Sequence, residues 1–291
     1  MTVSDVPPES AGRLESGTFS SGLTIPDFAA CLHMGMRPVA LVQGYCVMSW
    51  GWFGTGGLYA RYQGSGLSTY RCPHGYYAMG PDHRTWGQNT EQTWATQAWA
   101  TGFNTAYHRM VEEAAEAGAH GVIGVVDTSR HLLEGGIREF HMYGTAVVVE
   151  GRQPPAQIWT CYLAGERLAK LMEAGFFPVS VSASMASVLV QAVCATEMLL
   201  HGSWDTYGMV NTTDEITQVA DAEMQACRMA RDRVRSTLGG DRLHGASIEA
   251  GWKEVGAGLM QRDCVLRGSR VRHVSDPGPI EPPRPVVVLR G

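Results

Sequence analysis

The chain has 291 residues, of which 44% are apolar and 18% charged, with a formal net charge of −5. This is enough for two domains with two cores, and the slightly acidic balance lacks the basic footprint of a nucleic-acid binder, so no nucleic-acid partner is expected. Seven cysteines scattered singly, with no CxxC, do not form a disulfide framework, so a reducing, cytoplasmic setting is expected.

Residues 1–19 are polar, contain Pro7-Pro8, and read as a flexible N-terminal tail without the basic and apolar regions of a secretory leader. Residues 20–150 read as a first domain. Thr24 can cap a short helix, Phe28, Cys31 and Leu32 give it an apolar stripe, and Gly35 ends it. A β-rich run follows from Pro38. Asn89 or Thr90 can cap a second, longer helix running to Gly118, with Trp99, Phe103, Ala106, Met110 and Ala114 on one side. Residues 117–126 turn into a buried strand, Glu134-Gly135-Gly136 reads as a hairpin tip, and Phe140–Val149 closes the unit.

Residues 151–157, with Pro154-Pro155, form a short stiff linker. Residues 158–274 repeat the pattern. Leu168, Leu171 and Met172 form a stripe ending at Gly175, and a strand starts at Pro178. Thr212 and Glu215 make a capping-box pattern. Ile216, Val219, Cys227, Ala230 and Val234 follow, and Gly239-Gly240 stop the helix. Four serines, Gln191 and Glu197 interrupt the apolar run 179–200, which therefore reads as buried strand or helix, with no membrane association expected. Residues 275–291 form a Pro-rich tail with an apolar tip, Val286–Leu289, which reads as a frayed terminus or, alternatively, as a strand that pairs with a neighbouring sheet edge.

The two units align directly. Gly35, Pro38 and Val39 fall on Gly175, Pro178 and Val179, while His120-Gly121 answers His244-Gly245 and Gly144 answers Gly268. A period this long indicates duplicated domains, not a solenoid. The expected fold is α+β: two tandem two-layer α/β sandwiches with mainly antiparallel sheets, each packed with helices.

The segment Ala106-Tyr-His-Arg-Met-Val-Glu-Glu-Ala-Ala-Glu-Ala-Gly-Ala-His-Gly-Val-Ile-Gly-Val-Val126, followed by Tyr143-Gly-Thr-Ala-Val147, resembles the YbjQ-like family, often labelled heavy-metal-binding. His120 stands where that family usually has Asn or Asp. The second unit matches in outline only, with Leu243-His-Gly-Ala-Ser-Ile-Glu249 and Arg267-Gly-Ser-Arg-Val271, and reads as a diverged copy. The resemblance implies a dodecin-like sandwich that assembles into rings, commonly pentamers, and carries no ligand set over.

Cys72, His74 and His83 offer one thiolate and two imidazoles within twelve residues, a donor set for a divalent transition metal such as zinc, although the spacing is not that of a zinc finger. His120 joins them as a candidate because a ring could gather its copies. Loop packing and a structural histidine are the alternatives. The segment 49–88 is a glycine-rich aromatic insertion. It holds Trp50, Trp52, Phe53, Tyr59, Tyr62, Tyr70, Tyr76, Tyr77 and Trp86, nine of the chain's 25 aromatic residues. Rigid aromatic area with little charge suits a subunit or ligand contact, or a loop folded on its own domain. No GxSxG elbow, P-loop or dinucleotide fingerprint is present. The function expected is a non-enzymatic homo-oligomer whose partner is itself, in a ring that the family would make pentameric. Metal or small-ligand binding is the alternative, and a hydrolase cleft between the domains a weaker one.

Overall fold

The computed structural model describes residues 20–49, 89–133, 137–191, 217–256 and 259–275. The N-terminal tail, residues 50–88 of the insertion, the Thr212–Glu215 capping box, the hairpin tip and the Pro-rich tail beyond Ser275 lie outside them.

Helix α1 spans Ile25–His33, strand β1 Met36–Ser49, β2 Thr90–Glu91, α2 Thr93–Glu116, β3 Gly121–Leu133 and β4 Ile137–Val149. Strand β5 is Trp159–Thr160, α3 Gly165–Glu173, β6 Phe176–Gln191, α4 Thr217–Leu238, β7 Arg242–Gly256 and β8 Leu259–His273. The order helix, long strand, long helix, hairpin therefore occurs twice. The architecture is α+β, with two four-stranded sheets ordered β1-β4-β3-β5 and β2-β6-β8-β7, antiparallel except for the β3–β5 pair.

Local chemistry explains the elements. The Thr24 hydroxyl accepts from the Asp27 amide at 3.3 Å and caps α1, with Pro26 in the first turn. Trp99, Phe103, Ala106, Met110 and Ala114, spaced by four, three, four and four, are all buried on one side of α2. In α4 the buried stripe is Ala222, Ala226, Ala230 and Val234. Val219 and Cys227, expected in that stripe, are only half-buried at its margin, Cys227 packing against the same core.

The two sheets share their irregularities. The register slips after Pro38 in the β1–β4 pair and after Pro178 in the β6–β8 pair, where proline supplies no ladder donor. In the hairpins it slips at Gly124 and at Gly245, with φ +59° and +64°, the conformation of a glycine bulge. This register corrects the sequence pairing of His120-Gly121 with His244-Gly245. Gly121 and Arg242 hold the same place, opposite Val147 and Val271. Gly245 therefore answers Gly124, and His120 answers Asp241.

Each sheet is completed from the other half. Thr90–Glu91 pairs with Val188–Leu189 of β6, and the Gln92 amide donates to the Ser187 carbonyl at 2.8 Å. Asn89 and Thr90 thus serve as strand and approach, not as helix cap; Gln92 holds the cap position. Pairing overrides the capping preference because it satisfies backbone groups that a cap would leave open. Conversely Trp159–Thr160 extends the first sheet beside β3.

The layers follow from side-chain alternation. Val42, Cys46, Phe140 and Met142 point inward from the first sheet onto α2. Val181, Met185 and Val265 meet the same core from the second sheet. The opposite face of that sheet, through Ala186, Val188, Cys264 and Leu266, carries α4. The stacking order is sheet, α2, sheet, α4. A third cluster, with Cys31, Ile123, Trp159, Leu168 and Leu171, lies where α1 and α3 pack together.

Candidate functional site

A band of polar groups runs between the halves. Asp127 pairs with Met142 in the β3–β4 ladder and so points inward. There the Arg267 guanidinium from β8 meets it, Nε donating to Oδ2 at 2.6 Å. The same guanidinium donates through Nη1 to Glu249 Oε2 at 2.7 Å. Side-chain exposure is 5% for Asp127, 13% for Arg267 and 75% for Glu249, so the Asp127 arm is the unscreened one. Burial opposes the charge on Arg267, but Asp127 and Glu249 overcome it and hold its pKa above the ordinary value. Arg138, also inward, donates to Ser129 Oγ at 3.2 Å; burial lowers its pKa against the pull of Asp263 and Glu249.

The band continues along the β5 strand and the residues after it. Thr160 Oγ1 accepts from the Val181 amide at 2.8 Å and lies 3.3 Å from the Tyr107 hydroxyl. Ser269 Oγ accepts from the Tyr162 amide at 3.1 Å and from the Cys161 thiol at 3.4 Å. The Tyr162 hydroxyl is buried without a well-formed hydrogen bond. Burial, then the negative charge of Asp127, push its pKa far above the phenol range. Burial likewise pushes the Cys161 thiol up, the opposite of an activated nucleophile. Asp127 and Glu249 are both bound to Arg267, so this arrangement ties β3 of the first sheet to β7 and β8 of the second.

The expected metal set divides. Cys72, His74 and His83 lie outside the described residues, as do Trp50, Trp52, Phe53, Tyr59, Tyr62, Tyr70, Tyr76, Tyr77 and Trp86. His120 is buried at the start of β3. Its Nδ1 accepts from the Val149 amide at 3.2 Å, and its carbonyl accepts from the Trp159 amide at 3.4 Å. With Nδ1 accepting, Nε2 carries the proton, so neither nitrogen offers a free lone pair in this tautomer. Among the described residues no three His, Cys, Asp or Glu side chains are placed to hold a metal. His141 does not approach it, being six residues down β4 from the Val147 that pairs with Gly121, roughly 20 Å along the strand.

Asp241, in the corresponding place, binds Arg270 at 2.6 Å and Arg272 at 2.9 and 3.1 Å. Arg272 first, then Arg270, hold its carboxyl below the ordinary range. It borders a cleft of about 390 Å³ lined also by Phe176, Arg242, Val271 and His273.

The outer face of the first sheet carries a second cluster. The Tyr45 hydroxyl donates to Glu139 Oε2 at 2.8 Å, and Arg130 closes an ion pair on the other carboxylate oxygen. The Tyr45 hydrogen bond, then Arg130, lower the Glu139 pKa. His141 lies between Tyr45 and Tyr143, with ring centroids 6.0 and 5.4 Å away. Tyr45, Val47 and Val126 are exposed on this face. Sequence reading missed both clusters. The available signal was charge at inward strand positions, as at Asp127 after the buried Val122–Val125 run, and aromatic residues at outward ones.

Residues 90–150 match the YbjQ family model, whose description reads "Putative heavy-metal-binding". The resemblance carried by Ala106–Val126 and Tyr143–Val147 falls within that match. An encapsulin nanocompartment protein of Mycobacterium tuberculosis is 27% identical over 244 residues, covering 81% of this chain and 79% of the relative. No solved structure matches significantly.

Proposed function

We propose that this protein is a non-enzymatic, self-assembling building block: two tandem YbjQ-type halves, the second diverged, that associate into a ring-like homo-oligomer in the cytoplasm and work as part of a protein compartment. The observation that carries this reading is the similarity to an encapsulin nanocompartment protein over about four-fifths of both chains. Its extent spans both halves, so it concerns the whole building block. The structure supports it in two ways. Among the described residues the halves share a core and exchange strands, so that they pack as one body. No helix of the described residues is long and apolar enough to cross a membrane, and Tyr45, Val47 and Val126 are exposed on the outer face of the first sheet. Electron microscopy of the purified full chain tests the reading. It predicts closed particles of uniform diameter; a field of particles no larger than a single chain would contradict it.

The family description favours a second reading, in which the assembly binds a divalent transition metal. Cys72, His74 and His83 are its proposed donors, with the aromatic residues of the insertion as contact surface. Elemental analysis of protein purified without a histidine tag tests it. Metal in integral ratio to chain, lost in a Cys72→Ser/His74→Ala variant, supports it; metal-free protein with no thermal shift on adding zinc or copper refutes it.

A further inference from the structure

Six of the nine large apolar side chains exposed among the described residues lie on two faces. Tyr45, Val47 and Val126 lie on the outer face of the first sheet, 45%, 46% and 39% exposed. Ile248 and Trp252 lie on the α4-bearing face of the second sheet, and Met224 on α4 itself, 47%, 37% and 57% exposed. Met224 is two residues, about 200°, round the helix from the buried Ala222, so it points away from its own sheet. These are the two ends of the layer stack.

The recurring register shows what such faces do within the chain. Counting from the bulges at Pro38 and Pro178, Tyr45 and Val47 hold the places of Met185 and Ser187. Met185 and Ser187 are 1% and 0% exposed, because that face of the second sheet is packed on α2 and the first sheet. Ile248, opposite Leu266, holds the place of Asp127, opposite Met142. Asp127 is the buried residue that binds Arg267 across the same contact. The helices repeat the pattern. Gly165 and Met172 of α3 lie on the side packed against α1, with Gly165 close against Asp27. Their counterparts Ile25 and Leu32 are 87% and 51% exposed. Each end of the molecule thus presents one half of an interface that is complete inside it.

We propose that the occupant of each end is a second copy of this chain: the outer face of β1, β4 and β3 in one subunit packs on α4 and the β6–β8–β7 sheet of the next. The contact is head to tail and repeats, between chains, the contact that joins the two halves within one. Successive subunits then continue the alternation of sheet and helix, and a heterologous contact of this kind closes into a ring when its rotation permits. The two ends differ in sequence, with Tyr45 and Val47 at one and Ile248 and Trp252 at the other, so neither end is matched to itself. This inference rests on the self-assembly reading and specifies its surfaces.

Two variants, Val47→Arg and Ile248→Glu, test it by sedimentation velocity at about 10 µM, with circular-dichroism melts confirming the fold; Tyr45→Arg and Trp252→Glu replace either variant if its melt is lost. A buried charge at the contact is expected to weaken association at least ~100-fold. Each variant alone should therefore sediment as a monomer. An equimolar mixture should give a dimer and nothing larger, because it contains one intact pair of faces. If wild type is oligomeric and the folded variants remain so, or if their mixture stays monomeric, the head-to-tail contact is wrong while self-assembly stands. A monomeric wild type overturns both.

Discussion

A methyl group does not fit at position 44. A Cβ on Gly44 would lie 1.8 Å from the Ala106 carbonyl oxygen and 2.7 Å from the Met110 amide nitrogen, both backbone atoms of α2. Neither can swing aside as a side-chain tip would, so the helix must lift from the sheet. Gly44→Ala should destabilise the protein by about 3 kcal/mol, lowering its melting temperature by several degrees in calorimetry. The corresponding Ser184 does carry a side chain, and its hydroxyl donates to the Ala230 carbonyl at 2.6 Å. Two helices laid over the same strand position thus use different chemistry, close approach in one half and a hydrogen bond in the other. His120 teaches a related lesson: residue type marks it equally as metal donor or structural acceptor, and the Val149 amide that occupies its Nδ1 becomes visible only once the strand is in place.

At the scale of elements, β3 and β8 are joined by the Asp127–Arg267 pair, with both partners largely buried. Asp127→Ala would leave the guanidinium with only the exposed Glu249 as partner, and should cost about 3–5 kcal/mol in denaturant unfolding. Adding Arg267→Met to Asp127→Leu should recover most of that loss, because an apolar pair avoids the stranded charge. The elements themselves were legible in sequence to differing degrees. Periodic apolar residues identified α1, α2 and α3, the Glu134-Gly135-Gly136 tip marked the first long hairpin, and the glycines and prolines marked most boundaries. The two-residue strands β2 and β5 were not legible, since two residues carry no alternation. The hairpin register was misjudged for a related reason: a shared His-Gly dipeptide looked like an anchor, whereas the bulges at Gly124 and Gly245 are what align the sheets. The charged seam escaped notice because its members come from β3, β4, β7 and β8 and converge only through sheet packing.

For the whole molecule, strand exchange and a common core join the halves, while the stack of sheet, helix, sheet and helix leaves exposed apolar side chains at each end, beside the Glu139–Arg130 pair at one of them. Read as half-contacts, these two faces are the basis of the proposed head-to-tail assembly, and the similarity to a nanocompartment protein extends across both halves. Native mass spectrometry of the full chain at micromolar concentration tests this most directly. One dominant species is expected, with a mass that is an integral multiple of 31.5 kDa, greater than two. A single species at 31.5 kDa would contradict it.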